Sequence, residues 1–273
     1  MTALHDLETR LQKLRDVREI LTSMKNLAYM ETRKLTHRLE TQRQAVAVLE
    51  AAAADFLAHY PELRPRDGQP PEAAVVVGSE RGFCGNFNDP LLATAGQVPS
   101  LVAVGRKLAA KLEGDPRLAA TVDGPSVAEE VETVMDRLVE AVEGLGRVGL
   151  VALYHDTEGE VKQVPLLPPF SGLAESRPAS FPPRLNLEPA ALFVELVDQY
   201  LFAALQLALL ASLLAENQQR VQHLEGAVRH LDERLSSLEH RRHQLRQEEI
   251  IEEIEVILLS ATDPDQWPQG KIS

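Results

Sequence analysis

The chain is poor in the residues that build disulfides, zinc sites and β-rich folds. It has one cysteine in 273 residues, and aromatic residues make up 4% of the total. A single cysteine excludes an internal disulfide framework and a multi-cysteine zinc site. The scarcity of aromatic side chains disfavours a β-sandwich or barrel and favours a fold with long helices.

Positive charge is also in short supply. Lysine and arginine total 28 against 41 acidic residues, which gives a formal net charge of −13. Nucleic-acid-binding domains are normally basic, so we expect no nucleic-acid partner. The stretch from Met1 to Asp16 lacks the apolar core of a signal peptide, which predicts a cytoplasmic protein. The most apolar run, Leu201–Ala215, is too short to span a bilayer and predicts a helix buried against protein.

Glycine and proline are absent before Pro61. Apolar residues in this stretch recur at steps of three and four, which places them on one helical stripe that begins with Leu4, Leu7, Leu11, Leu14 and Val17. A stripe of this length predicts an N-terminal coiled-coil helix over residues 1–58.

A second coiled-coil helix is predicted over residues 189–262. Its seam combines two heptad series, one of Leu224, Leu231, Leu238 and Leu245 and the other of Val221, Val228 and Leu235. The seam stutters after Leu245, and residues 263–273 form a polar tail. The two helical arms can bury their stripes against each other only if they run antiparallel.

Between the arms, residues 72–187 predict a small α/β domain. Three short apolar runs have the character of buried parallel strands: Ala73–Val77, Leu101–Gly105 and Val148–Tyr154. A helical pattern lies between the second and third runs, and Ser126 with Glu129 predicts a capping box at its start. The fold class is therefore α/β, with a long antiparallel coiled coil of the N- and C-terminal helices and an inserted Rossmann-like domain.

The most distinctive short segment follows the first predicted strand and contains Gly82, Cys84, Gly85 and Asn88. Its glycines match neither the dinucleotide nor the P-loop spacing. Two interpretations remain open. Cys84 is either a nucleophile activated at a helix start or a small buried residue in a tight strand-to-helix turn. The histidines of the last arm, including His240 and His243, lack metalloprotease spacing and are expected on a solvated face.

The sequence resembles the gamma subunit, the central rotor shaft of F-type ATP synthases, over nearly its whole length. The most specific similarity is the run from Ser79 to Asn88, which resembles the family pattern S-D-[RK]-G-L-C-G-x-[FY]-N. Ile20 to Ala28 resembles the family's I-T-x-A-M run, with Met24 at its methionine. Further matches to E-x-x-x-R and R-Q-x-x-I patterns lie near the C-terminus, at Glu216, Arg220, Arg246, Gln247, Ile250, Glu253, Ile257 and Ala261.

The chain departs from the family pattern at several positions. Ile251 stands where the family has Thr, Ser260 where it usually has Gly, and Val221 where it often has Met. These departures indicate a divergent branch, and a sodium-translocating type is one option. Whether the coupling ion is a proton or sodium, and whether the complex mainly makes or hydrolyses ATP, both stay open.

The resemblance implies a shaft inserted into a ring of alpha and beta subunits, with the α/β domain against the epsilon subunit and the c-subunit ring. It implies a peripheral position on the cytoplasmic side of the bacterial inner membrane. It also implies a chain without catalytic residues, cofactor or metal of its own. The beta-subunit contacts that it implies are Met24, Arg242, Arg246, Gln247 and Glu253. The alternatives are a stand-alone α/β thiol enzyme with coiled-coil arms, which would use Cys84, and an inert coiled-coil scaffold.

Overall fold

The computed structural model describes residues 2–65, 70–146, 149–170, 173 and 184–261, and side chains within residues 4–259. It divides into two compact units. Unit 1 comprises Met1–Met24 and Leu224–Ser273, and unit 2 comprises Lys25–His223. Because this division cuts both long helices, the domain boundaries derived from sequence stay predictions. Val148 and the tail 263–273 lie outside the described residues.

Two helices dominate the chain, α1 (Thr2–His59) with 58 residues and α5 (Pro189–Ala261) with 73. Between them lie five strands: β1 (Ala73–Val77), β2 (Ser100–Val104), β3 (Leu118–Val122), β4 (Leu150–His155) and β5 (Val161–Leu167). The described residues also form three shorter α-helices, α2 (Asn88–Ala95), α3 (Arg106–Lys111) and α4 (Val131–Glu143), and two 3₁₀ helices at Pro61–Leu63 and Ala128–Glu130. This is the expected mixed α/β architecture.

Unit 2 is built on a five-stranded sheet of order β3-β2-β1-β4-β5. Strands β1 to β4 are parallel, and β5 closes one edge antiparallel to β4. The side chains of β1 alternate between two cores. Val75 packs in the core that includes α4 and the unit 2 sections of α1 and α5, and Val76 packs in the core that includes α2 and α3. Helices on both faces explain why the central strands are continuously apolar.

The predicted capping box is wrong. The backbone N–H of Ser126 donates to Glu130 Oε2 at 2.6 Å, and a 3₁₀ turn at Ala128–Glu130 precedes α4. The carboxylate that binds the amide is therefore one residue later than expected, because the 3₁₀ turn delays the start of α4.

Unit 1 consists of the first part of α1, up to Met24, and the second half of α5, from Leu224 onward, which run antiparallel. Arg15 pairs with Glu239 at 2.5 Å, and three residues later along α1, Arg18 pairs with Asp232, which comes earlier in α5. Leu11 and Leu224 are almost completely buried. Val17 is 44% exposed, so the expected stripe does not include it.

Within the described part of the chain, one helix is long and apolar enough to cross a membrane by length and composition alone. It is α5, in which an 18-residue window reaches a mean hydropathy of 1.6. More than half of that window is buried inside the protein. The run Ala208–Asn217 is buried against unit 2, so the apolar character is that of a core helix.

Candidate functional site

The turn that follows β1 contains a dense set of buried hydrogen bonds. Asn88, at the start of α2, folds back onto Ser79: its Oδ1 accepts the Ser79 N–H at 2.9 Å, and its Nδ2 donates to the Ser79 hydroxyl at 3.0 Å. Asn88 is 5% exposed. A buried amide with both ends satisfied fixes the two ends of the turn relative to each other.

The middle of the turn requires unusual backbone conformations. Phe83 has φ +64 and Gly85 has φ +60, both in the left-handed region. A Cβ at Gly85 would lie 2.0 Å from Nε2 of His223 on α5. A larger residue at Gly85 would therefore be strained in its backbone and would have to displace the His223 ring.

The turn is fastened to α5 by three side chains spaced four residues apart, Ser212, Glu216 and Arg220, which we call the α5 clamp. The Ser212 hydroxyl donates to the Val77 carbonyl at 2.7 Å. The Glu216 carboxylate accepts the Glu80 and Arg81 N–H groups at 3.1 and 3.0 Å. Arg220 Nε donates to the Gly82 carbonyl at 3.1 Å. Residues four apart lie on one helix face, so a single face of α5 forms hydrogen bonds with the backbone along the turn.

The charges of the clamp are paired and deeply buried. Arg220 Nη2 bonds Glu216, Nη1 donates to Asn217 Oδ1 at 2.8 Å, and the two charged side chains are only 7% and 3% exposed. Burial raises the pKa of Glu216, while Arg220 and the two backbone N–H groups act in the opposite direction. The Glu216 carboxylate accepts three hydrogen bonds, and removing its charged partner would leave a buried charge uncompensated.

A second carboxylate fills the carboxyl edge of the sheet. Glu80 is 4% exposed and accepts the N–H groups of Arg106 and Gly124, each at 2.9 Å, together with Arg106 Nε. In doubly wound folds this edge is where ligands bind. Here the Glu80 carboxylate occupies the position that a bound phosphate would take. The backbone N–H groups at this edge, including that of Gly124, therefore bind an anion that belongs to the chain itself.

Cys84 has a setting unsuited to nucleophilic chemistry. It is 5% exposed, and its Sγ donates to the Arg81 carbonyl at 3.4 Å. Burial raises the pKa of the thiol, and the nearby Glu216 charge raises it further. A thiolate needs an electropositive, accessible setting. The structure therefore favours the packing interpretation of Cys84.

The predicted contact residues for a partner subunit are not brought together. Arg246, Gln247 and Glu253 are exposed on α5, while Met24 and Arg242 are half-buried. Because Arg18 pairs with Asp232, Met24 lies level with the part of α5 that precedes Asp232. At 1.5 Å per residue, this is about 30 Å along the helix from Arg246. Met24 and Arg246 must therefore meet different parts of any partner.

The four predicted seam leucines differ in burial. Leu224 is completely buried, whereas Leu231, Leu238 and Leu245 are half-buried. Val228 and Leu235, from the other heptad series, are 9% and 8% exposed. The role of the four leucines as a seam stays a prediction.

Three features escaped the sequence reasoning. Glu80 gave no signal of burial. Ser212 lies inside the apolar run of α5, but no sequence pattern indicated its hydrogen bond to the Val77 carbonyl. His155 is 1% exposed, with its ring nitrogens 2.9 Å from the Gly159 carbonyl and 2.7 Å from that of Phe87. The third is the turn between β4 and β5, where the described residues place three carboxylates within 4.8 Å of one another, those of Asp156, Glu158 and Glu160.

Comparison with known proteins places these features in a family. The family model described as ATP synthase matches residues 3–262. An ATP synthase gamma chain of Clostridium perfringens is 26% identical, with 93% of this chain and 95% of the relative covered. The gamma chain of Anaeromyxobacter dehalogenans is also 26% identical, over 96% of this chain and 99% of the relative.

Solved structures share the fold. A chain of the Euglena gracilis mitochondrial ATP synthase, in an assembly described as OSCP/F1/c-ring, superposes with a TM-score of 0.67 at 14% identity, over 100% of this chain and 99% of that one. A chain of the Tetrahymena thermophila enzyme, described as central stalk and c-ring, gives 0.54 at 18% identity, over 76% of this chain and 99% of that one.

Proposed function

The chain belongs to the ATP synthase family, where its relatives are gamma chains, and from this premise we propose that it is a rotor shaft that takes no part in catalysis. It couples ion flow through a membrane sector to ATP synthesis or hydrolysis in a ring of alpha and beta subunits. Its further partners are an epsilon subunit and a c-subunit ring. Since its relatives include bacterial chains, the complex would lie on the cytoplasmic side of the inner membrane.

The observation that carries this proposal is the exposed apolar end of α5. Seven large apolar residues near this end are 48% to 72% exposed: Ile250, Ile251, Ile254, Val256, Ile257, Leu258 and Leu259. They surround the helix on several sides rather than forming one stripe. A contiguous apolar surface of this kind marks a site of protein interaction. A ring that encloses the helix end covers such a surface from every side.

The shaft acts through asymmetry. One rod cannot present the same surface to three beta subunits at once, so each beta subunit makes different contacts and is held in a different conformation. A ligand or partner shifts a conformational equilibrium only by its difference in affinity for the two states. Rotation of the rod changes which beta subunit receives which contact. Each beta subunit, with its nucleotide site, therefore changes conformation in turn.

Arg246, Gln247 and Glu253 are suited to these contacts because they are exposed next to the apolar end. A guanidinium offers a rigid fork of donors that matches a carboxylate, and the neighbouring amide both donates and accepts. Arg242 is half-buried and belongs to the same level of the rod. Met24 would meet the ring at another level, about 30 Å away by the helical rise.

The test is reconstitution with the alpha and beta subunits encoded by the same genome. We expect this chain to co-purify with them and to yield a complex that hydrolyses ATP and rotates. Arg246→Ala should lower turnover or coupling about tenfold or more, since a charged hydrogen bond is worth roughly 1.5–3 kcal/mol. Arg229→Ala, an exposed arginine outside the predicted contact set, is the matched control. Failure to bind alpha and beta would contradict the proposal.

A further inference from the structure

We propose that the α5 clamp is the joint that transmits torque between the α5 helix and the α/β domain of unit 2. This inference rests on the proposed rotor function and adds the residues that make the rotor stiff. It concerns only contacts within unit 2. The clamp is Ser212, Glu216 and Arg220 on α5, together with the backbone of Val77, Glu80, Arg81 and Gly82 that they bind.

The clamp consists of hydrogen bonds, which are directional, whereas the surrounding apolar contacts are not. Around it, α5 packs on the sheet through small and aliphatic residues such as Ala208, Leu209 and Ala211. Apolar contacts are non-directional, so they resist separation better than they resist sliding or twisting. Hydrogen bonds weaken steeply when their angles change. A twist of the domain about α5 must therefore distort the bonds of Ser212, Glu216 and Arg220 first.

The domain side of the clamp is equally well anchored. Glu80 offers its N–H to Glu216, while its own carboxylate holds Arg106 at the start of α3 and Gly124 after β3. Asn88 ties the other end of the turn to α2. A force on α5 therefore passes through the hydrogen bonds of the turn to β1, α2 and α3.

The burial of the ion pair suits this mechanical role. The Glu216 and Arg220 side chains are almost completely excluded from solvent, where competing water is scarce and electrostatic interactions are strong. For stability alone, a buried ion pair is often no better than an apolar pair of similar shape. What the ion pair adds is a single permitted register between helix and turn.

The experiment measures torsional stiffness in the assembled complex. The beta subunits are fixed to a surface, and a bead is attached to the α/β domain through Glu113→Cys, an exposed position beyond α3. Cys84→Ser in the same chain removes the other thiol. Thermal fluctuation of the bead angle during the pauses between steps reports the stiffness of everything between ring and bead.

In the double variant Glu216→Ala/Arg220→Ala, only the Ser212 bond of the clamp remains. The angular variance at the pauses should rise at least about two-fold, because variance is inversely proportional to stiffness and the cooperative network has been removed. ATP hydrolysis without load should stay unchanged. The control is Glu225→Ala/Arg229→Ala, an exposed pair with the same spacing on the same helix, which should leave the variance at the parent value.

The outcomes separate the two proposals. A parent complex that does not assemble or rotate contradicts the rotor function itself. A double variant that assembles, hydrolyses ATP and shows the parent variance overturns the clamp and leaves the rotor function standing. If the double variant does not fold, Ser212→Ala and Arg220→Lys take its place. Each should raise the variance by a smaller amount, and unchanged variance in both overturns the clamp.

Discussion

Gly85→Ala tests how closely the turn approaches α5. At φ +60 an alanine enters the left-handed region, which costs roughly 1–2 kcal/mol for an L-residue. The new Cβ would also lie 2.0 Å from Nε2 and 2.7 Å from Cε1 of His223. His223 is exposed, so its ring can swing away, and an off-rotamer side chain costs about 0.5–1.5 kcal/mol. The expected total is about 2–3 kcal/mol.

Two further variants separate the parts of this total. Gly114→Ala has φ +84 with nothing within 4 Å of its Cβ, so it carries the backbone part alone. The double variant Gly85→Ala/His223→Ala removes the overlap but keeps the backbone strain. The stability that it loses relative to His223→Ala should therefore equal the stability that Gly114→Ala loses relative to the parent chain. Thermal unfolding of the full chain measures the difference, with roughly 2–4 °C lost per kcal/mol in a chain of about this size. If Gly85→Ala loses no more than Gly114→Ala, the close approach of turn and helix is wrong.

Three further predictions have defined outcomes. Leu231→Asp and Leu238→Asp should each prevent assembly of the complex, because charge is placed in the predicted seam, whereas Ser236→Asp should not; normal coupling in both Asp variants would contradict the seam. Cys84→Ser should keep ATP hydrolysis within a few fold, and loss of activity in an assembled complex would return the thiol-enzyme hypothesis. Burial raises the pKa of Tyr200 to about 12, so above roughly pH 10 the unfolded chain ionises first. Stability should fall as pH rises from there, and Tyr200→Phe should flatten the fall in a urea titration across this range.

The central strands could be predicted from sequence because they are buried on both faces. The run Ala73–Val77 coincides with β1, and the other two runs overlap β2 and β4. The edge strands were missed. In β3 half-buried and exposed positions alternate up to the buried Val122, and β5 contains Pro165 and is largely accessible. An edge strand needs only one apolar face, so its sequence carries a weaker signal than a continuous apolar run.

The turn after β1 was recognisable as a motif, but its interactions were not. Glu216 and Arg220 matched a family pattern, yet nothing local shows that a glutamate and an arginine are buried together. Their burial is decided by residues more than a hundred positions away, at Glu80 to Gly82. A helical projection gives one usable signal: Glu216 and Arg220 continue the face of Ser212, which lies inside the apolar run.

The face of α5 that bears Ser212, Glu216 and Arg220 changes from apolar to polar along the helix while it stays buried. Near Ala208 it is apolar and serves the core of unit 2; eight residues later, at Glu216, it is polar although still buried. Leucine at Glu216 and Arg220 would keep the domain attached, but it would leave the N–H groups of Glu80 and Arg81 without acceptors. Unpaired buried amides cost about 1–3 kcal/mol each, so the turn would rearrange and lose its register. A rotor needs register more than it needs affinity. This requirement gives a physical reason for burying charge at a point where apolar side chains would attach the domain but would not hold the turn in place.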